Sequence, residues 1–218
     1  PAIAAGNTVV IKPSERASCS TLELMKILEE ADLPEGLINV VTGFGPTTGA
    51  PLIEHQDVRM ISFTGGNKGG SAASLSASKN VKPIIMELGG KSPVVVFDDA
   101  DLESATNGVL LSIFSASGQS CVAGSRLLLH ESIHDEVLSR VAEKANKIRI
   151  GDPLDDNSQM GPLATRAQLD NIDSTVADAK ANGATLIHGG QQPAGMGDGW
   201  YYEPTVVACP DQQIGIVP

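Results

Sequence analysis

The chain has 218 residues, of which 41% are hydrophobic and 19% are charged, a composition that predicts a folded globular protein rather than a disordered one. Its formal net charge at pH 7 is −11, and its Lys and Arg residues are scattered singly, which disfavours binding to a polyanion such as nucleic acid. No apolar run approaches the roughly 20 residues that cross a bilayer, so we expect no membrane partner.

The spacing of the cysteines and histidines indicates whether the chain contains disulfides or a metal site. The three cysteines lack C-x-x-C spacing and the four histidines lack metal-ligand spacing, so we expect free thiols in a reducing compartment and no metal site. The cytoplasm is the favoured location. Because the sequence begins at Pro1 without an initiator Met and stops at Pro218 after an apolar run, we also expect an internal piece of a longer protein.

Along the first part of the chain, short β-branched runs alternate with longer amphipathic stretches, the pattern of a dinucleotide-type α/β domain with a parallel sheet. Ser20 and Glu23 have the spacing of a capping box at the start of a helix. The predicted strands are residues 8–12, 38–42, 58–63 and 83–88, and the predicted helices are residues 18–31, a short one ending near 54, and one ending near 79.

A second α/β unit is predicted after Gly89 and Gly90, so the expected domains are 1–89 and 90–218. The acidic run of Asp98, Asp99 and Asp101 is best explained as the N-terminal cap of a helix, and Gly183 as the C-cap of another. The predicted strands are residues 94–97, 126–130, 186–187 and 205–208, and the predicted helices are residues 101–116, 134–148 and 165–182.

Cys121 is the first candidate for chemistry. It lies among small residues, in Gly118-Gln119-Ser120-Cys121, between a predicted helix and a predicted strand, where a substrate can approach its sulfur. Taken alone, a lone cysteine is more often a small buried hydrophobic residue, and that interpretation stays open for Cys121 and is preferred for Cys19 and Cys209.

Glu87 is the second candidate, because it ends an apolar strand and is followed by two glycines that allow another group to come close. A carboxylate removed from water there can have a raised pKa and act as a general base. The simpler alternative is an ion pair with Lys91.

Two segments are candidates for binding a nucleotide. The turn from Thr64 through Gly65 and Gly66 to Gly70 lies between a strand and a helix, where N–H groups and the helix dipole favour a phosphate, although a flexible glycine turn is nearly as good an explanation. Lys12-Pro13-Ser14-Glu15 follows a strand, at the edge where such sheets bind ligands, and its alternative is a solvated ion pair.

Four motifs in one order resemble the aldehyde dehydrogenase superfamily, and the resemblance covers essentially the whole chain. The four motifs are Gly6-Asn7-Thr8-Val9-Val10-Ile11-Lys12-Pro13-Ser14-Glu15, Ile61-Ser62-Phe63-Thr64-Gly65, Glu87-Leu88-Gly89-Gly90-Lys91-Ser92-Pro93 and Gly118-Gln119-Ser120-Cys121. Further along the chain, the segments that also match are Gly151-Asp152-Pro153-Leu154, Gln159-Met160-Gly161-Pro162-Leu163 and Tyr202-Glu203-Pro204-Thr205-Val206.

The resemblance implies an NAD(P)-dependent enzyme with a Rossmann-type cofactor domain and an α/β catalytic domain, both incomplete here. It implies that Cys121 attacks the aldehyde and, after hydride transfer to the cofactor, carries the product as a thioester. It also implies that Glu87 activates the water that hydrolyses this thioester. NAD is the expected cofactor, NADP a possible one, an aldehyde the expected partner, and a homodimer or homotetramer the expected assembly. The cofactor contacts that it implies are Lys12 and Glu15 with the adenosine ribose, Gly45 and Pro46 with the adenine, Gly65 to Gly70 with the pyrophosphate, and Leu88 with the nicotinamide.

The sequence also departs from the family's pattern. Gly66 stands where many members have a Ser that hydrogen-bonds the pyrophosphate, and the family's oxyanion-stabilising Asn belongs before Pro1. Expressed alone, residues 1–218 are therefore expected to bind NAD weakly at best and to oxidise no aldehyde. The alternatives are a CoA-acylating relative, which has no need of Glu87, and a catalytically silent NAD-binding relative, which has no need of Cys121.

Overall fold

A computed structural model describes residues 1–211 and 213–216, and the chain divides into two compact units, Pro1–Leu88 and Gly89–Pro218. Each unit combines helices with paired strands, the composition of an α/β fold. Val217 and Pro218, the end of the terminal apolar run, lie outside the described residues.

The first unit contains two parallel strand pairs, β1 with β2 and β3 with β4. Because the strands of each pair run in the same direction, their carboxyl ends meet at one edge, and a helix follows β1 and β3. The elements are β1 Val9–Ile11, α1 Cys19–Glu30, β2 Ile38–Val40, α2 Ala50–Glu54, β3 Ile61–Gly65, α3 Asn67–Ser78 and β4 Ile84–Leu88, with one π-helical turn at Gly45–Gly49 before α2.

Two details predicted for the first unit are wrong. Helix α1 begins at Cys19 with Ser18 at its N-cap, so Ser20 lies inside the helix, and Glu23 pairs with Lys26 instead of closing a capping box. The third strand begins at Ile61 rather than at residue 58, because the amide of Val58 is already bonded to His55 O in the turn after α2.

The second unit contains a parallel pair, β5 with β6, and an antiparallel pair, β7 with β8. Its largest buried cluster joins β5, α4 and α5 through Val96, Val109, Val137 and Val141. The elements are β5 Pro93–Val96, α4 Leu102–Phe114, β6 Arg126–Leu129, α5 His134–Ala145, α6 Arg166–Ala181, β7 Thr185–His188 and β8 Val206–Ala208.

The helix ends of this unit have local causes. Asp101 caps α4, as the acidic run predicts, by accepting a hydrogen bond from the amide of Ser104 at 2.8 Å. This bond lowers the pKa of the Asp101 carboxyl. Helix α4 stops at Phe114, two residues before the predicted end, because Ala116 and Ser117 have left-handed backbone angles. Gly183, with a φ of +95°, follows the cap of α6 at Asn182.

Candidate active site

The edge at the end of β1 is organised by Lys12. Its ammonium donates to the carbonyl oxygens of Pro13 at 2.6 Å and Gly43 at 3.0 Å, which connects the ends of β1 and β2. The Glu15 carboxylate lies 4.0 Å from this ammonium, and the Glu15 side chain is 40% exposed against 18% for Lys12. Lys12 is thus fixed by backbone acceptors, whereas Glu15 keeps carboxylate oxygens that face solvent.

Two further predicted contact residues lie near this edge. Ser14 is exposed, and its hydroxyl oxygen accepts a hydrogen bond from the amide of Arg16 at 3.3 Å. Gly45 and Pro46 are exposed and begin the turn before α2, and a side chain added at Gly45 would meet no atom within 4 Å. The space over Gly45 and Pro46 is therefore open to a planar group.

The predicted glycine turn, residues 64–70, consists in the structure of the end of β3, Gly66 and the first turn of α3, and it has an open face and a packed face. A Cβ atom at Gly66 would meet nothing within 4 Å, and no side chain caps the helix there. A Cβ at Gly65 would come within 2.9 Å of Phe63, and one at Gly70 within 2.7 Å of Leu88. These close approaches hold the turn in place while the amides that begin α3 stay available to an anion.

Glu87 lies beside this turn in the register of the parallel pair. Thr64 pairs with Glu87 and Gly65 pairs with Leu88, so the carboxylate-bearing residue and the glycine turn share the carboxyl edge of β3 and β4. Glu87 and Thr64 are both exposed within their own unit. The structure thus brings Thr64, Gly65, Gly66, Gly70, Glu87 and Leu88 together.

Cys121 lies in the second unit, on a loop between α4 and β6 that consists of residues 115–125. We call it the nucleophile loop, after the role that the sequence predicts for Cys121. Its thiol is free and the residue is exposed. The loop returns to the core through Gly124, whose amide bonds to Ser112 O at 3.1 Å. Gly124 is buried, and a Cβ there would collide with the side chain of Val94, which explains why a glycine follows the cysteine closely.

The other two cysteines differ from Cys121. Cys209 is half-buried beside the cluster of Ala179, Ala184 and Ile214, and this burial raises the pKa of its thiol. The small-hydrophobic interpretation therefore suits Cys209. It does not suit Cys19, which is exposed at the first residue of α1.

Sequence reasoning missed the contacts that fix the nucleophile loop. The Ser117 hydroxyl donates to Gly161 O at 2.9 Å, and the Gln119 side-chain oxygen accepts from the amide of Ala164 at 3.0 Å. The partners are 44 and 45 residues apart in the chain. The only signal in the sequence was the presence of Gly161 within a motif of the resemblance, which does not show what it touches.

Comparison with protein families and with known proteins gives a consistent result. The model of the aldehyde dehydrogenase family matches residues 1–217. The chain is 44% identical over 207 residues to the chloroplastic betaine aldehyde dehydrogenase of Atriplex hortensis and to the peroxisomal aminoaldehyde dehydrogenase 2 of Pisum sativum. In both comparisons the match covers 95% of this chain and 41% of the relative, so the chain spans about two fifths of their length.

A solved structure extends the likeness to the fold. The betaine aldehyde dehydrogenase of Staphylococcus aureus, solved with NAD⁺, has a TM-score of 0.95 and 38% sequence identity. The likeness covers 100% of this chain and 44% of that protein.

Proposed function

Because the chain belongs to the aldehyde dehydrogenase family, we propose that the protein oxidises an aldehyde to a carboxylic acid with NAD, with Cys121 as nucleophile and Glu87 as general base. The observation that supports this proposal most directly is the exposed thiol of Cys121 on a loop whose backbone is held from both sides. A thiol that is accessible and fixed in place suits covalent catalysis.

The proposed reaction begins at the sulfur of Cys121. Its thiolate forms a bond to the aldehyde carbon, the carbonyl electron pair moves to oxygen, and the alkoxide of a thiohemiacetal results. Loss of hydride from that carbon leaves a thioester on Cys121. NAD, when bound, supplies the acceptor for this hydride.

Glu87 acts in the second half of the proposed reaction. Its carboxylate takes a proton from water, the water oxygen adds to the thioester carbon, and the carbon–sulfur bond breaks. The acid leaves and Cys121 returns to its thiolate form. Glu87 and Cys121 belong to different units, so their joint action is part of the proposal.

The first unit has a surface that fits the cofactor. The open face of the turn at Gly66, with the amides of the first turn of α3, suits a pyrophosphate. Thr64, Gly65 and Gly70 shape this turn and Leu88 lies against it, so Leu88 would border the nicotinamide. The remaining cofactor contacts are proposed at Lys12, Ser14, Glu15, Gly45 and Pro46.

NAD is favoured over NADP because the Glu15 carboxylate can accept hydrogen bonds from ribose hydroxyls and repels a 2′-phosphate. Lys12 offsets this repulsion only partly, since two carbonyl oxygens already occupy its ammonium. Measuring kcat/KM with each cofactor tests this preference, and a higher value with NADP would contradict it.

Single-turnover NADH formation in the full-length protein separates the two catalytic roles. We expect Cys121→Ala to form no NADH, whereas Glu87→Gln should form a single NADH per site and then hydrolyse the thioester slowly. Cys19→Ala is the matched control and should behave as the wild type. A burst from Cys121→Ala, or undiminished turnover by Glu87→Gln, would overturn the assigned roles.

We further propose a homodimer or homotetramer and a cytoplasmic location. Light scattering of the purified protein tests the assembly, and fractionation of the cells that produce it tests the location. Some relatives are named for chloroplasts and peroxisomes, and recovery of the protein in such a compartment would contradict the cytoplasmic location. None of the helices in the described ranges is long and apolar enough to cross a membrane.

A panel of aldehydes that includes a betaine aldehyde and an aminoaldehyde would identify the substrate class.

A further inference from the structure

The nucleophile loop begins with an unusual backbone conformation. Ala116, Ser117 and Gly118 have φ values of +50°, +55° and +71°, so three consecutive residues lie in the left-handed region. Residues with a Cβ atom adopt this region at a cost, and two of these three have one. Such a segment persists only where its surroundings hold it.

Two side chains of this segment reach across to another part of the second unit. Ser117 Oγ donates to Gly161 O at 2.9 Å, and Gln119 Oε1 accepts from the amide of Ala164 at 3.0 Å. We call this pair of hydrogen bonds the clasp. One bond uses a side-chain donor and the other a side-chain acceptor, so together they fix the loop on both sides of Gly118.

The segment on the other side of the clasp is itself fixed. Met160 N donates to Arg149 O at 3.1 Å, and the amide of Leu163 donates to Trp200 O at 2.9 Å. The Leu163 side chain is buried in a cluster with Leu169, Val176 and Tyr202. The clasp therefore connects the loop to a rigid support.

We propose that Ser117 and Gln119 are positioning residues, which act through the clasp to hold the sulfur of Cys121 at the angle required for attack on the aldehyde. The inference rests on the proposed role of Cys121. Cys121 is exposed, so its orientation depends on the backbone before and after it. The clasp fixes the backbone before Cys121, and the Gly124–Ser112 bond fixes it afterwards. A nucleophile displaced by about 1 Å can lose as much as about 10² in rate, so a loosened loop should slow the reaction without weakening aldehyde binding.

The test compares Ser117→Ala, Gln119→Met and the double variant with Ser115→Ala in the full-length protein. Ser115 is the matched control because its hydroxyl donates to Leu111 O, on the helix that immediately precedes it. The readouts are the rate of the NADH burst, the KM for the aldehyde, and alkylation of Cys121 by iodoacetamide across pH. Iodoacetamide needs no docked substrate, so its rate reports the thiol itself.

We expect each clasp variant to slow the burst by about tenfold or more, with KM and alkylation changed less than about twofold. The double variant should lose less than the product of the two single losses, because both bonds hold one segment. Gln119→Glu keeps an acceptor oxygen at the same distance from the backbone. It should restore the burst to within about threefold of wild type, measured at a pH at which the alkylation rate no longer rises.

Three outcomes would overturn the inference. In the first, the clasp variants have a burst as fast as that of Ser115→Ala. In the second, the alkylation rate of the clasp variants falls in parallel with their burst rate. In the third, the burst of Gln119→Glu is no faster than that of Gln119→Met. Cys121→Ala separates these outcomes from failure of the proposed function. If it still forms NADH, the role of Cys121 is wrong. If it forms none while the clasp variants keep full rate, only the positioning role is wrong.

Discussion

The glycine turn, which runs into α3, and the nucleophile loop after α4 each contain a buried glycine at a close approach, Gly70 and Gly124. They differ in how they are held. At the glycine turn, Gly66 has open space around it and no side chain caps the helix. In the nucleophile loop, side chains reach across to residues 161 and 164.

This difference matches what each connection is proposed to do. A turn that binds a phosphate does so mainly with backbone amides, which must stay accessible to the ligand. A loop that presents one reactive sulfur must hold that atom at a defined angle, which glycines alone do not achieve. The changes below test this comparison, from the largest expected effect to the smallest.

Adding a methyl group at the buried glycine of the nucleophile loop should have the largest effect. In Gly124→Ala the new Cβ would collide with Val94 and lie 2.6 Å from the Ser112 hydroxyl, so packing must shift, and we expect the free energy of unfolding to fall by about 1–3 kcal/mol. Thermal or urea unfolding measures this loss. Gly108→Ala in α4 meets no atom within 4 Å and should instead gain about 0.5–1 kcal/mol. Equal effects at both sites would contradict the close packing at Gly124.

Relieving the left-handed backbone should stabilise the same loop. Ala116 has a φ of +50°, and Ala116→Gly removes its Cβ, so we expect the free energy of unfolding to rise by about 1 kcal/mol. Ala177→Gly, in the exposed middle of α6, should lose about the same amount. The two melting temperatures should therefore move in opposite directions. A lower value for Ala116→Gly would show that the left-handed conformation carries no cost.

The glycine turn should respond more in binding than in stability. In Gly70→Ala the new Cβ would lie 2.7 Å from a terminal methyl of Leu88, which can rotate away, so we expect a stability change below about 1 kcal/mol. The displaced Leu88 should raise the Kd for NAD several-fold, measured by NAD titration. Gly66→Ser serves as the control because its backbone suits an N-cap, and it should gain a few tenths of a kcal/mol without weaker NAD binding. An unchanged Kd for NAD in Gly70→Ala would show that Leu88 does not contribute to NAD binding.

Acid should have a small effect on the stability of the protein, through α4, the helix that precedes the nucleophile loop. A hydrogen bond from Lys144 lowers the pKa of Glu103 on α4 below its ordinary 4.5. A carboxyl group with a lowered folded-state pKa contributes stability above its unfolded pKa and loses it as pH falls through the folded value. In Glu103→Gln the melting temperature should thus be slightly lower at neutral pH and fall less below about pH 4.5. Parallel pH curves for wild type and variant would exclude this contribution.

Local patterns in the sequence were enough to predict most elements of both units. The amphipathic stretch of residues 18–31 predicted α1, and the acidic run predicted the cap at Asp101, because helix periodicity and capping involve neighbours within one turn. The motifs also placed Cys121 between a helix and a strand and Glu87 at a strand end. Family membership, expected from those motifs, is shown by the match over residues 1–217.

Tertiary structure decided the features that depend on distant partners. The pairing of Thr64 with Glu87 follows from the register of two strands, and the start of β3 at Ile61 follows from the same pairing. The burial of Cys209 and the clasp at Ser117 and Gln119 depend on contacts with segments far away in the chain. A sequence determines its nearest-neighbour preferences directly, whereas a contact between residues 117 and 161 exists only after the chain between them has folded.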